Sequence, residues 1–286
     1  MISTPKTIQI FLPLGDPQAI RVAEITTRIV RVIEVPRSLL LEFQQMPESN
    51  QVGIYFLVGE DEKTGEPKLY IGQSGNIGKR LGEHNEKKDF WSRAIVAVSL
   101  TNSLTQTHAL FLEWHSLKRA TEAGRFELEN GNGGSKPHTP APLEADCTEI
   151  FETCRTLLAT LGYPVFEPVA KPISSTAPQE LFYCKRSGCS AVGEYTTEGF
   201  VILSGSLGSP EVGASYQNES FAKRRAQLIA QGKAQLQNGR LAFKENVLFS
   251  SPSGASAVVL GAPSNGWTDW KSADGKTLNE LKRIGT

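Results

Sequence analysis

The chain has 286 residues, of which 39% are hydrophobic and 21% charged, and its 30 basic and 30 acidic side chains cancel. That length suits two domains, and no apolar run approaches the ~20 residues that a membrane-spanning helix needs. The zero net charge argues neither for nor against a polyanionic partner. The opening "MISTPKTIQIFLPLGDPQ" has one lysine followed by a strand-like stretch with prolines and a charge. It is a poor signal peptide, so no membrane association and a cytoplasmic location are expected.

Residues 7–34 read as extended structure, rich in β-branched side chains, with "GDP" as a turn. Pro36 then opens a short helix. Residues 1–48 are therefore expected to form a small N-terminal β appendage. "VGIYFLVG" is a compact apolar strand, "EDEKTGEP" a polar turn and "KLYIGQS" a second strand, and two strands this close pair most simply as an antiparallel hairpin. Asn76 caps a helix running to about Lys87. "RAIVAVSL" is a third strand. "TQTHALFLEWHSLKRATEAG" is a helix stopped by Gly124. After a loop rich in Gly, Pro and Ser, a helix from about Asp146 to Leu161 closes a domain spanning 49–166.

"EPVAKPISSTAPQE", residues 167–180, reads as a linker. The domain at 181–286 opens with strands broken by glycines. "ESFAKRRAQLIAQGKAQLQNG" reads as one helix ending at a glycine. A strand and a helix capped at Ser251 or Ser253 follow. The fold class expected is α+β: a small antiparallel sheet flanked by helices, preceded by the β appendage and followed by a separate α+β C-terminal domain.

Cys184 and Cys189, in "CKRSGC", could form half of a zinc site. Cys147 and Cys154 do not have the spacing of the other half and lie on a predicted helix, so all four read as free buried or hairpin thiols. Charge is unevenly distributed. Residues 221–286 hold ten Lys/Arg against four Asp/Glu, a net of +6 that the remainder of the chain balances. Such asymmetry marks the C-terminal portion for nucleic-acid contact, with Lys223, Arg224 and Arg225 on the predicted helix as the candidate residues, against the plainer reading of a solvated basic face. Trp267 and Trp270 could stack on bases or pack in the core.

One constellation carries chemistry. Gly53-Ile54-Tyr55 and Tyr70-Ile71-Gly72 sit on the two hairpin strands. Arg80 and His84 follow on the next helix, Glu113 lies inside a later helix, and Asn130 comes after it. Hydrolysis of a phosphodiester needs an activated water, charge stabilisation at phosphorus and a stabilised leaving oxygen. A strand tyrosine holds its hydroxyl at a fixed distance from a rigid sheet. Arg80 offers a planar, permanently charged fork for phosphate oxygens, and His84, four residues on, shares its helix face. A single carboxylate, Glu113, suits Mg²⁺, which keeps much of its hydration.

Each residue alone has a plainer reading. The tyrosines could be half-buried strand aromatics, Arg80 a solvated helix residue and His84 a partner of the helix end. Glu113 could pair with Lys118 or Arg119, and Asn130 could be a turn former, with Asn132 competing for its role. His108 and His115 read as surface residues.

The order and element types of these residues, over about 50–135, resemble the GIY-YIG nuclease superfamily. The whole chain resembles bacterial proteins of that superfamily that carry a C-terminal domain of unknown function, through phrases such as "KDFWSRAIV", "EGFVILSGS" and "SSPSGASAVVLGAPSNGWTDWK". The turn between the tyrosines is a few residues longer than usual there. The resemblance implies a metal-dependent endonuclease acting on DNA, with RNA left open, using Mg²⁺ or Mn²⁺ held by Glu113. It implies that one tyrosine, Tyr55 ahead of Tyr70, orients or deprotonates water, and that Arg80 stabilises the pentacoordinate phosphate. His84 would relay a proton or hold a tyrosine hydroxyl, and Asn130 would buttress the site. The alternative is a non-catalytic nucleic-acid-binding or adaptor protein that keeps the fold.

Overall fold

A computed structural model describes residues 5–62, 64–131, 134–170 and 180–284. Most of the expected linker, 171–179, lies outside the described residues, as does Asn132. The chain divides into two compact units, Met1–Glu167 and Pro168–Thr286, both of mixed α+β structure.

The first unit contains β1 (Ile8–Phe11), β2 (Arg21–Ile25), β3 (Val30–Pro36), α1 (Leu40–Gln45), β4 (Gly53–Glu60), β5 (Pro67–Ser74), α2 (Ile77–Lys87), β6 (Trp91–Ser99), α3 (Gln106–Ala123), β7 (Glu127–Leu128) and α4 (Ala141–Thr160). These strands form one sheet in the order β1-β2-β3-β6-β4-β5-β7. All pairs are antiparallel except the short β5–β7 pair. β4 is an interior strand, between β6 and β5, and both of its faces are covered, which is why its sequence is a continuous apolar run rather than an alternating one. Ile54 and Phe56 pack with Phe111 and Leu112 of α3 and Phe151 and Leu157 of α4. Tyr55 and Leu57 point the other way, into a cluster with Phe43 of α1 and Ile77 and Leu81 of α2.

The N-terminal β segment is not an appendage. β3 pairs with β6 along its whole length, from Val30↔Ser99 to Pro36↔Arg93, so residues 8–36 extend the main sheet. Edge satisfaction explains this: without β3, the backbone of β6 would be an unpaired edge beside a buried core. α4 also begins earlier than expected, at Ala141 with Pro142 in its first turn, a position where the missing proline N–H costs nothing.

The second unit contains β8 (Leu181–Cys184), β9 (Ala191–Thr196), β10 (Gly199–Ile202), β11 (Leu207–Gly208), α5 (Ser220–Ala230), β12 (Ala234–Gln237), β13 (Arg240–Phe243), β14 (Val247–Phe249), α6 (Pro252–Leu260) and α7 (Gly266–Asp269). Its strands form two sheets, β14-β10-β9-β8 and β11-β13-β12. The long helix expected over residues 219–239 is instead a helix and a strand. α5 stops before Gly232, whose φ of 72° breaks the helix, and Asn238 and Gly239 (φ 51° and 66°) turn β12 back onto β13. Asn-Gly is the preferred two-residue hairpin turn because both central residues need positive φ. α6 is almost wholly buried and packs among Phe200, Phe243 and Trp270.

Candidate functional site

The site forms where the β4–β5 hairpin meets α2. The hairpin register places Tyr55 opposite Gly72 and Leu57 opposite Tyr70. The Tyr55 ring therefore lies across Gly72, where a Cβ would come within 2.3 Å of its hydroxyl oxygen. The glycine after Tyr70-Ile71 is thus the seat of the other tyrosine. The two rings lie 6.3 Å apart and are nearly parallel, at 27°.

α2 starts at Asn76, whose side chain accepts from the Lys79 N–H at 2.9 Å, and it sits close to the Pro47–Asn50 turn because Gly78 leaves no Cβ to meet Ser49. This docking carries His84 over the tyrosine pair, with ring centroids 5.5 Å from Tyr55 and 5.0 Å from Tyr70. Tyr55 Oη and His84 Nε2 are 2.8 Å apart. Arg80, one turn earlier on the same helix, pulls on the ionisation of the Tyr55 hydroxyl and pairs with Glu83 at 2.6 Å. A His84 protonated at Nδ1 presents Nε2 as the acceptor of the Tyr55 hydroxyl.

The electrostatics follow from burial. Tyr55 is 1% exposed, and burial pushes its hydroxyl pKa well up, against the pull of Arg80. Burial, reinforced by the charges of Arg80 and Lys88, pushes His84 down to about 4, so it is neutral at physiological pH. Lys88 Nζ lies 4.5 Å from the centre of the Tyr70 ring, a cation–π contact. Arg80 stays charged and keeps 41% of its side chain exposed.

Glu113 comes from α3, on the other layer, and approaches past the end of β5. Burial raises its pKa, while a backbone hydrogen bond at Gln73 and the charge of Arg80 oppose that rise. Its charge is felt at Tyr55. Among the described residues it has no ion-pair partner, because Arg119 pairs with Glu122 and Lys118 lies over Trp114. The start of α3 is tied to the same strand end by Gln106 and Gln73, whose amides meet at 2.5 Å.

Asn130 is not in the ring cluster. Its side-chain amide accepts from the Ile71 N–H at 2.8 Å and donates to the Ile71 carbonyl at 2.7 Å. It acts as one further strand residue on the exposed edge of β5, gripping the middle of the Tyr70-Ile71-Gly72 tripeptide. Four expected residues (Tyr55, Tyr70, Arg80 and His84) therefore share one face of the sheet, Glu113 reaches the same end from the opposite layer, and Asn130 holds the strand.

Sequence reasoning missed Glu83 and Lys88. Both were detectable from helical spacing, at i+3 from Arg80 and i+4 from His84. The two histidines read as surface residues are partly engaged. His108 closes the N-terminal cap of α3 with Thr105. His115 stacks on Phe111 and meets Phe151 edge-on, so it belongs to the packing of α3 on α4.

Among the described residues no group of three or more His, Cys, Asp or Glu side chains is placed to enclose a metal. The donor set at this site is one half-buried carboxylate, which fits an ion held mostly by water and substrate phosphate, as Mg²⁺ commonly is. The four cysteines are all buried as free thiols.

In the second unit the structure corrects the basic triplet. Lys223 is exposed and Arg224 half-buried, but Arg225 is 4% exposed, with its guanidinium directed at the Ser209 and Val258 carbonyls. It fastens α5 to the loop before it and to α6, so the triplet does not present three charges to a ligand. Trp270 is fully buried, with its indole N–H donating to the Pro252 carbonyl at 3.0 Å. Trp267 is half-buried beneath Arg283 at 3.5 Å.

No helix among the described residues is long and apolar enough to cross a membrane. Residues 182–282 match a family described as a domain of unknown function (DUF4357), where the sequence led to the expectation of such a domain. No curated protein and no solved structure matches the chain.

Proposed function

We propose that the first unit is a GIY-YIG-type nuclease domain that hydrolyses DNA phosphodiester bonds with the help of a divalent cation, Mg²⁺ or Mn²⁺. The observation that carries this reading is the bond of one buried tyrosine hydroxyl to His84 under the pull of Arg80, with Tyr70 alongside and, at the same strand end, a carboxylate, Glu113, that has no ion-pair partner among the described residues.

In this reading Tyr70, the more exposed of the pair, meets the attacking water. Tyr55 is part of the chain behind it, passing a proton towards the neutral His84 Nε2. The water oxygen bonds to phosphorus, and the bond from phosphorus to the leaving oxygen breaks. Arg80 faces solvent with part of its guanidinium free to take a non-bridging phosphate oxygen, which stabilises charge that develops in the transition state. Glu113 would hold the cation, whose chemistry is to stabilise the leaving oxygen and polarise the phosphate. Asn130 keeps β5, and so Tyr70, in register.

The test is incubation of the purified chain with supercoiled plasmid, in Mg²⁺ and in EDTA. Nicking or linearisation that requires the cation and is lost in Glu113→Gln supports the reading. Equal cleavage by wild type and Glu113→Gln sinks the role of Glu113, and no cleavage by the wild type sinks the reading in favour of a non-catalytic nucleic-acid-binding protein.

A further inference from the structure

The second unit has a cleft of about 740 Å³ lined by Tyr183, Lys185, Arg186, Asp269, Lys271 and the turn that follows Lys271. That volume is in the range of sites built for small ligands. The cleft lies along β8, an outer strand of its sheet. The chain after α7 adds to that edge: Tyr183 donates its N–H to the Lys271 carbonyl at 2.7 Å and accepts the Lys271 N–H at 3.0 Å. Trp270, locked in the core, fixes the other side of this bridge. The backbone thereby holds an aromatic residue and a lysine side by side on the same sheet edge.

The charge of the cleft is unbalanced. Asp269 accepts from Ser264 Oγ at 2.5 Å and pairs with Arg186 at 3.4 Å, so its charge is already engaged. Lys185 and Lys271 are exposed, and neither has a carboxylate partner among the described residues. Lys185 Nζ lies 5.2 Å from the centre of the Tyr183 ring. Two unpaired ammonium groups flanking a half-buried aromatic face match the alternation of phosphate and base along a nucleic-acid strand. A duplex hides its base faces in the stack, whereas a single strand can lay one on Tyr183. The surrounding sequence adds to the field, with a net of +6 over residues 221–286.

We propose that this cleft binds single-stranded nucleic acid, with Lys185 and Lys271 on successive phosphates and a base against Tyr183. The inference extends the DNA-handling reading but does not need the hydrolytic one.

The experiment uses the full chain carrying Glu113→Gln, in EDTA, and a fluorescent oligo-dT, with anisotropy followed across a salt series. Lys185→Gln/Lys271→Gln is expected to weaken binding at least ~10-fold and to flatten the log–log salt slope by about 1.4, two phosphates at ~0.7 each for a single strand. Tyr183→Leu is expected to weaken binding about 5- to 100-fold by loss of stacking, with the salt slope kept. Circular dichroism of each variant checks that these surface changes leave the fold intact. Wild-type affinity in Lys185→Gln/Lys271→Gln overturns the inference. So does a loss that appears only in Lys223→Gln/Arg224→Gln, and so does a preference for a hairpin duplex over oligo-dT. Cleft-dependent binding together with a wild-type chain that leaves plasmid intact with Mg²⁺ supports this inference and removes the hydrolytic reading, so the two fail separately.

Discussion

A polar cluster on one face of the first unit's sheet and another on the opposite face are built on opposite principles. On the α4 face, Glu34 is fully buried and bonded to Arg21, to Arg93 at 2.9 Å and to the Tyr163 hydroxyl at 2.8 Å. Its charge is over-matched by two cations, and Arg21 goes on to the Leu161 carbonyl at the end of α4. On the α2 face, the buried members Tyr55 and His84 are neutral. The charged members are held apart and partly open, Arg80 on α2 and Glu113 reaching the same strand end from α3 on the opposite layer. The first cluster is saturated and has nothing left to offer a ligand. The second leaves a cation, a carboxylate and a tyrosine with unused bonding capacity, as a site acting on a phosphate requires.

That contrast can be broken from either side. The largest expected effect is loss of plasmid cleavage in Glu113→Gln with thermal stability retained, because the substitution removes charge from a carboxylate with no ion-pair partner among the described residues. Next, Glu34→Ala is expected to destabilise the unit by about 3–5 kcal/mol, since it leaves two arginines partly buried without their counter-charge. Urea unfolding monitored by circular dichroism checks this, and a loss below about 1 kcal/mol, the scale of an exposed pair, would put Glu34 in the wrong class.

Arg80→Ala is expected to lower cleavage by ~10²-fold or more, as loss of one transition-state charge partner does. The midpoint of urea unfolding should move little. A stability loss matching that of Glu34→Ala would make Arg80 a structural residue. Gly72→Ala should cost about 1–3 kcal/mol, the usual range for overpacking, because its Cβ would meet the Tyr55 ring. Its urea midpoint checks this.

The smallest effect sharpens the protonation assignment. His84 has a folded-state pKa of about 4, below its ordinary value of 6.5. Between those values the unfolded chain binds the proton better, so the group works against folding increasingly as pH falls from 6.5 towards 4 and has no such effect above that window. The stability of wild type relative to His84→Gln should therefore decline across that window and be flat above it. A relative stability that instead rises on acidification would mean a charged His84.

The motif order, the β4–β5 hairpin, the Asn76 cap and the Gly124 stop were all legible in the sequence, because each depends on residues a few positions apart. Tyr55 and Tyr70 could be matched to each other, and Arg80 to His84, from strand and helix periodicity alone. The Asn238-Gly239 turn was equally local, and its signal was overridden by a run of helix-favouring residues on either side of Gly232. The roles of Asn130 and Arg225 were not legible, since one grips a backbone 59 residues away and the other reaches carbonyls 16 and 33 residues away.

By itself the sequence determined the α+β class, the elements around the hairpin, the candidate chemical groups and a distinct C-terminal region. Only the tertiary structure decided that residues 8–36 complete the main sheet, that Glu34 rather than Glu113 takes the arginine pairs, and that the basic triplet turns one charge inward. Only it brought Tyr183 beside Lys271, which lie far apart along the chain. The physical reason is the same in each case. Periodicity, caps and turns are short-range consequences of backbone geometry, whereas strand partners and the desolvation of a given charge depend on which surfaces meet, and those contacts exist only once the chain has folded.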